Sequence, residues 1–432
     1  MDYLIENAEI IHPGSELNRK RMHILIQNGI ISRISHQVIE GISSEELCKI
    51  NADNLQLSPG WFDMRASFKD PGFEYKETLT SGCRAAMAGG FTEVAILPNT
   101  QPVIQSKNEI AYVQRHNLHH LVELHTIAAV SIDTLGKDLT EMIDLHTAGA
   151  IAFSDGEKPV WHSDILVKTL MYLQKFDGLL INFPEDKFLT QFGQMNEGMN
   201  STILGLRGMP KLAEEMMIRR DLDFLEYAGG KIHFSMISSA KSVFLIREAK
   251  NKGLKVTCDI AAHQLAFDDS ALEGFDTNLK VNPPFRSPED IEALWAGLKD
   301  GTIDAIVSDH NPQDEESKNL EFDLAEFGII GLETAFSVIN TFGKDKLSLE
   351  QIINKIAIKP RETLKIPVPN IKEGESANLT LFDAHTEWSF TEKDIRSQSK
   401  NTPFIGQNFK GKAMAVFHQK RGKILDQRII EG

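Results

Sequence analysis

Cysteine is scarce in this chain. Cys48, Cys83 and Cys258 are the only three, they stand far apart, and they form neither a metal pair nor a redox pair. They suit a reducing compartment. Long apolar runs are absent too, so no segment reads as a membrane span, and the opening residues give no reason to expect a secretory leader. A cytoplasmic protein with no membrane partner is expected. Positive charge is in deficit: 46 Lys and Arg against 61 Asp and Glu leave a net charge of −15. That balance argues against nucleic acid as a partner. The acidic residues are scattered rather than blocked, which reads as a solvated surface. Low-complexity segments, short repeats and a Gly-x-Ser-x-Gly nucleophile elbow are also missing, although a dispersed Ser-His-Asp arrangement stays open. Gly89-Gly90 is too short for a phosphate loop.

What is present is the composition of a soluble globular protein, 41% hydrophobic and 25% charged. Both ends read as short strands and turns: 3–11 and 23–34, with Asn28-Gly29 as a hairpin turn, then 377–383 and 413–418, with a further turn expected at 420–423. Neither end buries a core alone, so residues 1–57 and 370–432 are expected to form one small β-sandwich. Between them, over 58–369, short apolar runs (93–97, 123–129, 150–153, 178–182, 231–235, 255–258 and 305–308) alternate with helical spacing such as 77–88 and 238–252. Continuous strands alternating with helices predict a parallel sheet, either a (β/α)8 barrel or a doubly wound sheet.

Seven motifs then occur in order. Ser58-Pro-Gly-Trp-Phe-Asp-Met-Arg-Ala-Ser-Phe-Lys-Asp-Pro-Gly72 is followed by Gly89-Gly-Phe-Thr92 running into Pro98-Asn-Thr-Gln-Pro102. After these come Ala152-Phe-Ser-Asp155-Gly, Asn282-Pro-Pro-Phe-Arg286, Ser308-Asp309-His-Asn-Pro-Gln313, Gly328-Ile-Ile-Gly-Leu-Glu-Thr-Ala335 and Asn401-Thr-Pro-Phe404. Together they resemble dihydroorotases and their cyclic-amidohydrolase relatives. The resemblance implies a (β/α)8 barrel with function at the C-terminal ends of its strands.

In that family the first motif carries His-x-His, whose imidazoles bind a catalytic metal; here the positions fall on Arg65 and Ser67. The bridging carboxylate position falls on Asp155, the next two histidine positions on Phe183 and Met236, and the last ligand, also the catalytic aspartate, on Asp309. A permanent cation repels a divalent ion, and two carboxylates without imidazole make a poor zinc site. No cofactor is therefore expected, and Asp309 is read as vestigial. The family's substrate-binding positions fall on Lys69, Asn99, Asn282 and Gln313. Lys69 keeps a charge but loses the arginine fork, and Gln313 supplies no charge.

Plainer roles stand beside these. Phe183 and Met236 suit core filling, and Asn99 suits a tight turn. His310 and His233 suit satisfied structural histidines, while His125 and His263 suggest nothing. Three readings result. The preferred one is a catalytically silent family member of pyrimidine synthesis, a homo-oligomer serving as assembly partner of aspartate transcarbamoylase or of an active dihydroorotase. The second is an active cyclic-amide hydrolase with zinc held at Asp155 and Asp309. The third is a metal-free enzyme or small-molecule sensor using Lys69, Asn99 and Asp309. In the preferred reading, Asp155 and Asp309 converge and Arg65 replaces the metal's charge by bonding one or both, with Phe183 and Met236 packed alongside.

Overall fold

The computed structural model describes residues 1–42 and 46–430. Eight parallel strands follow one another around a barrel: Trp61–Ala66, Phe91–Ile96, Glu123–Ala128, Ala152–Phe153, Leu180–Asn182, Ile232–Phe234, Val256–Ala261 and Ala305–Val307. The last returns to the first. Ala66 bridges His310, and the Ser67 N–H donates to the His310 carbonyl at 2.7 Å. That closure removes the doubly wound alternative, whose sheet stays open. Among the described residues no helix is long and apolar enough to cross a membrane.

Alternation along the strands explains why they read as continuous apolar runs. Side chains on one face, including Val94, Ile96, Leu124, Phe153, Ile232 and Ile306, share a core with helix residues such as Ile110, Leu166, Ile246 and Leu294. Those on the other face, including Met64, Ala95, Ile127, Ile181 and Val307, fill the barrel interior. Both faces are therefore buried, as a wound barrel demands. Helix Leu79–Ala88 shows how the outer ring is seated. A capping box between Thr78 and Ser81 starts it, and Leu79, Gly82, Cys83 and Ala86 form its buried stripe. Gly82 is needed for the close approach, because an added Cβ would stand 2.6 Å from the Phe68 ring.

The chain ends meet beneath the barrel. Strands Asp2–Ile10, Arg21–Gln27, Ile30–Ser35, Leu47–Asn51 and Gln56–Pro59 join Asn378–Ser389, Asn408–His418 and Arg421–Ile424 in one hydrogen-bonded sheet. Its core mixes both ends, with Ile5, Ile24 and Leu57 against Leu379, Ala415 and Phe417. Asn28 and Gly29 take left-handed φ values of 53° and 80°, as the hairpin at that point requires. The turn expected at 420–423 is displaced. Arg421–Ile424 is a strand, and Gln419, with φ 53°, makes the turn before it.

Candidate functional site

The C-terminal mouth of the barrel is built around Arg65. The pairing of the first and second strands slips between Asp63 and Ala66. Such a bulge re-aims side chains, so Met64 packs in the interior while its neighbour Arg65 also faces the mouth. Asp63 turns the other way, accepting the Ser308 N–H at 3.0 Å and the Ser308 hydroxyl, which ties the first strand to the eighth. Arg65 is 2% exposed. Its Nε donates to Asp309 Oδ1 at 3.2 Å, and its Nη1 donates to the Gly156 carbonyl and Ser235 Oγ at 3.4 Å each. The guanidinium carbon stands 5.7 Å from the centre of the Phe183 ring.

Asp309 follows the eighth strand in a left-handed conformation, φ 46°. Burial pushes its carboxyl up to about 7; Arg65 pulls it down, and Glu157 and Asp259 push it up again. His263 Nε2 lies 3.9 Å from Asp309 Oδ2, and burial lowers that imidazole to about 3, so it is neutral.

Asp155 does not join this cluster, which corrects the expected convergence. Its carboxylate accepts the Ser131 N–H at 2.9 Å and the Ser131 hydroxyl at 2.6 Å, with no bond to Arg65. Burial raises it above the ordinary value against those donors. The chain turns at Gly156 (φ 69°), which sends the Gly156 carbonyl and Glu157 toward the mouth in place of Asp155. Glu157 Oε1 receives Lys69 Nζ at 2.8 Å. Burial raises the Glu157 carboxyl, but Lys69, the Ser67 hydroxyl and Arg65 more than offset this and hold it below the usual range.

The other expected residues divide. Phe183 and Met236 are both buried in the interior core, and the Phe183 ring stands against Arg65. Asn99 holds the neighbouring loop, donating to the Asp155 carbonyl at 3.0 Å and accepting the Glu157 N–H at 2.8 Å. Asn282 donates to Glu185 Oε2 at 2.9 Å. Gln313 faces a separate cavity of about 610 Å³, where it accepts from Lys76 Nζ at 2.6 Å and donates to the Phe327 carbonyl at 2.8 Å. His310 is satisfied by Glu77 at 3.2 Å and the Gly331 N–H at 3.3 Å.

Sequence reasoning passed over Asp259. Its carboxylate gathers His233 Nε2 at 2.9 Å, Ser235 Oγ at 3.0 Å and the Met236 N–H at 2.6 Å, and Ser235 connects it to Arg65. The available signal was an acid inside an apolar strand, Val256–Ala261, alternating with Thr257 and Ala261 on one face. Glu157 was missed because only Asp155 lay within a recognised motif. Among the described residues, one group of acidic and histidine side chains is close enough to share an ion: Glu93, Glu123 and His125. It lies toward the N-terminal ends of the second and third strands, and Arg361 already pairs with Glu93 at 2.6 Å.

A closed parallel barrel with polar groups at the C-terminal mouth and a sheet of both chain ends below it is the architecture of the amidohydrolases. The Amidohydrolase family model matches residues 201–425, and the Dihydro-orotase-like model matches residues 55–242. The chain is 40% identical over 423 residues to a dihydroorotase of Syntrophus aciditrophicus (strain SB), covering 98% of this chain and 99% of that protein. It is 39% identical over 438 residues to a dihydroorotase of Thermoanaerobacter sp. (strain X514), covering 100% and 96%. The chain therefore belongs to the dihydroorotase family. Among solved structures it resembles an L-hydantoinase (dihydropyrimidinase) from Arthrobacter aurescens, with a TM-score of 0.85 at 21% identity, covering 98% of this chain and 95% of that one. That likeness speaks to the fold alone.

Proposed function

We propose that this chain is a dihydroorotase-like protein of pyrimidine biosynthesis that has lost metal-dependent hydrolysis. It acts in the cytoplasm as a homo-oligomeric structural or assembly partner of aspartate transcarbamoylase or of an active dihydroorotase. The observation that carries the loss is the buried Arg65 guanidinium bonded to Asp309 at the barrel mouth. The metal implied by the family resemblance does not fit these residues. A divalent ion beside Asp309 would meet a permanent cation, the Asp155 carboxylate is committed to Ser131, and Phe183 and Met236 offer no imidazole. A hydrolase that gives up its metal loses several kcal/mol of transition-state stabilisation. The partner is supplied by the family resemblance rather than by the mouth.

The deciding experiment pairs elemental analysis of protein dialysed against chelator with an assay of dihydroorotate hydrolysis. The expected result is substoichiometric zinc and no turnover; near-stoichiometric zinc with turnover overturns the proposal. A second reading, an active dihydroorotase with a degenerate metal site, is favoured by relatives named dihydroorotase at 37–40% identity over nearly the full chain. The same assay decides between the two. A pull-down from native cytoplasm that recovers no pyrimidine enzyme would refute the assembly role.

A further inference from the structure

A cavity of about 630 Å³ lies on the side of the molecule opposite the mouth, where the sheet of chain ends meets the segment leading into the third strand. That volume is typical of small-molecule sites. Its lining is basic although the chain carries a net charge of −15. His120, His418, Lys420 and Arg421 all contribute.

The Arg421 guanidinium is fixed in place by the carbonyls of His120 and Leu118, the latter at 2.6 Å; carbonyls orient its charge without neutralising it. The Lys420 ammonium has no hydrogen bond or ion pair among the described residues. Glu123 also lines the cavity, as its one acid, and it faces His418 rather than Lys420 or Arg421. Glu123 lies 3.6 Å from His418 Nε2, and Asp2 accepts the Asn28 N–H at 3.1 Å.

Behind His120 the imidazole of His116 is stacked on it face to face, 3.9 Å between centroids and 5° between planes. Two imidazoles so placed cannot both be charged without a counter-ion. Burial and the charges of Arg421, His119 and Arg84 lower His120, while burial, His120 and His119 bring His116 to about 4. The arrangement is a set of fixed positive charges and neutral imidazoles that an incoming anion would let protonate. A single carboxylate would satisfy one of these groups. A phosphate ester or polyphosphate, carrying two or more charges, would engage Lys420, Arg421 and His120 together.

We propose that this cavity binds a small phosphate-bearing anion through Lys420, Arg421 and His120, with His116 backing the site. The proposal does not depend on whether the mouth hydrolyses anything. It is tested on the full chain by calorimetric titration with inorganic pyrophosphate and, separately, with citrate. Histidine titrations are followed by NMR in the presence and absence of pyrophosphate. Saturable pyrophosphate binding is expected, with the His120 and His116 titrations moving to higher pH. Lys420→Glu, at an exposed turn, should weaken binding about tenfold or more. His120→Ala should reduce the linked proton uptake to the His116 share while leaving the melting temperature close to that of the parent. No saturable binding at millimolar pyrophosphate would overturn the proposal, as would binding that both variants leave unchanged. Citrate binding as tight as pyrophosphate binding would overturn the assignment to phosphate.

Discussion

Replacing Arg65 with methionine keeps most of the apolar stem and removes the charge at the barrel mouth. The side chains of Arg65 and Asp309 are 3% and 10% exposed, so the substitution strands a buried carboxylate. Breaking a buried pair from one side costs about 3–5 kcal/mol. Asp309 has a way to limit that cost, because its carboxyl already stands at about 7 against an ordinary 3.8. A folded pKa above the unfolded one means that the folded state binds the extra proton. The carboxyl's contribution therefore becomes more favourable as pH falls from 7 toward 3.8, and above 7 its penalty is fully present and constant. Without Arg65 the folded pKa rises further, and each pH unit below that value relieves about 1.4 kcal/mol of the variant's penalty, until Asp309 of the parent protonates as well near 7. Arg65→Met should therefore cost about 3–5 kcal/mol near pH 8.5 and shrink near pH 6 to about 1–2 kcal/mol of lost hydrogen bonding. Urea unfolding at both pH values measures this. Adding Asp309→Asn should recover much of the loss at the higher pH, since no charge is then left alone. An Arg65→Met variant within about 0.5 kcal/mol of the parent at both pH values would refute the reasoning, as would strict additivity of the two substitutions.

Three further outcomes are expected. Glu93 is buried, yet Arg361 and His125 hold its carboxyl below the ordinary range. Its contribution is complete above the unfolded value of about 4.5 and is lost as pH falls below it, so Glu93→Gln should lower stability at pH 7 and flatten the acid side of a melting-temperature profile. Gly156→Ala places a Cβ against Asn99 Oδ1 at a φ of 69° and should destabilise by about 1–3 kcal/mol in denaturant titration. Phe183→Ala opens the interior core beneath Arg65 and should cost about 3–5 kcal/mol by the same assay; a loss under 1 kcal/mol would mean that the ring is not packed as described.

The barrel was readable because each of its strands is buried on both faces, which leaves a continuous apolar run for every turn of the repeat. The charge pair at the mouth was readable because Arg65 and Asp309 each lie inside a motif anchored to a strand end. Asp155 was misplaced for a local reason: one left-handed glycine after it exchanges which acid faces the barrel axis, and motif spacing does not encode that rotation. Asp259 could be noticed as an acid inside an apolar strand but not assigned a role, because its partners, His233, Ser235 and Met236, come from the neighbouring strand and the residues just after it; only register brings them together. Gln313 was assigned to the mouth by motif, whereas the loop after the eighth strand carries it to a separate cavity beside Lys76.

The seam that closes the barrel joins Asp63 to Ser308, positions 245 residues apart, and strand Gln56–Pro59 pairs with Asn378–Ser389 further still along the chain. On the ribosome the first strands therefore emerge long before the segments that complete them. For most of synthesis the nascent chain carries unpaired strand edges, the kind of surface that recruits wrong partners. Interactions between elements close in sequence, such as the hairpin at Asn28-Gly29 and the capped helix Leu79–Ala88, can form in the meantime. A chain released before residue 378 would keep the Gln56–Pro59 edge open, which makes truncation near the C-terminus a question of solubility before it is one of function.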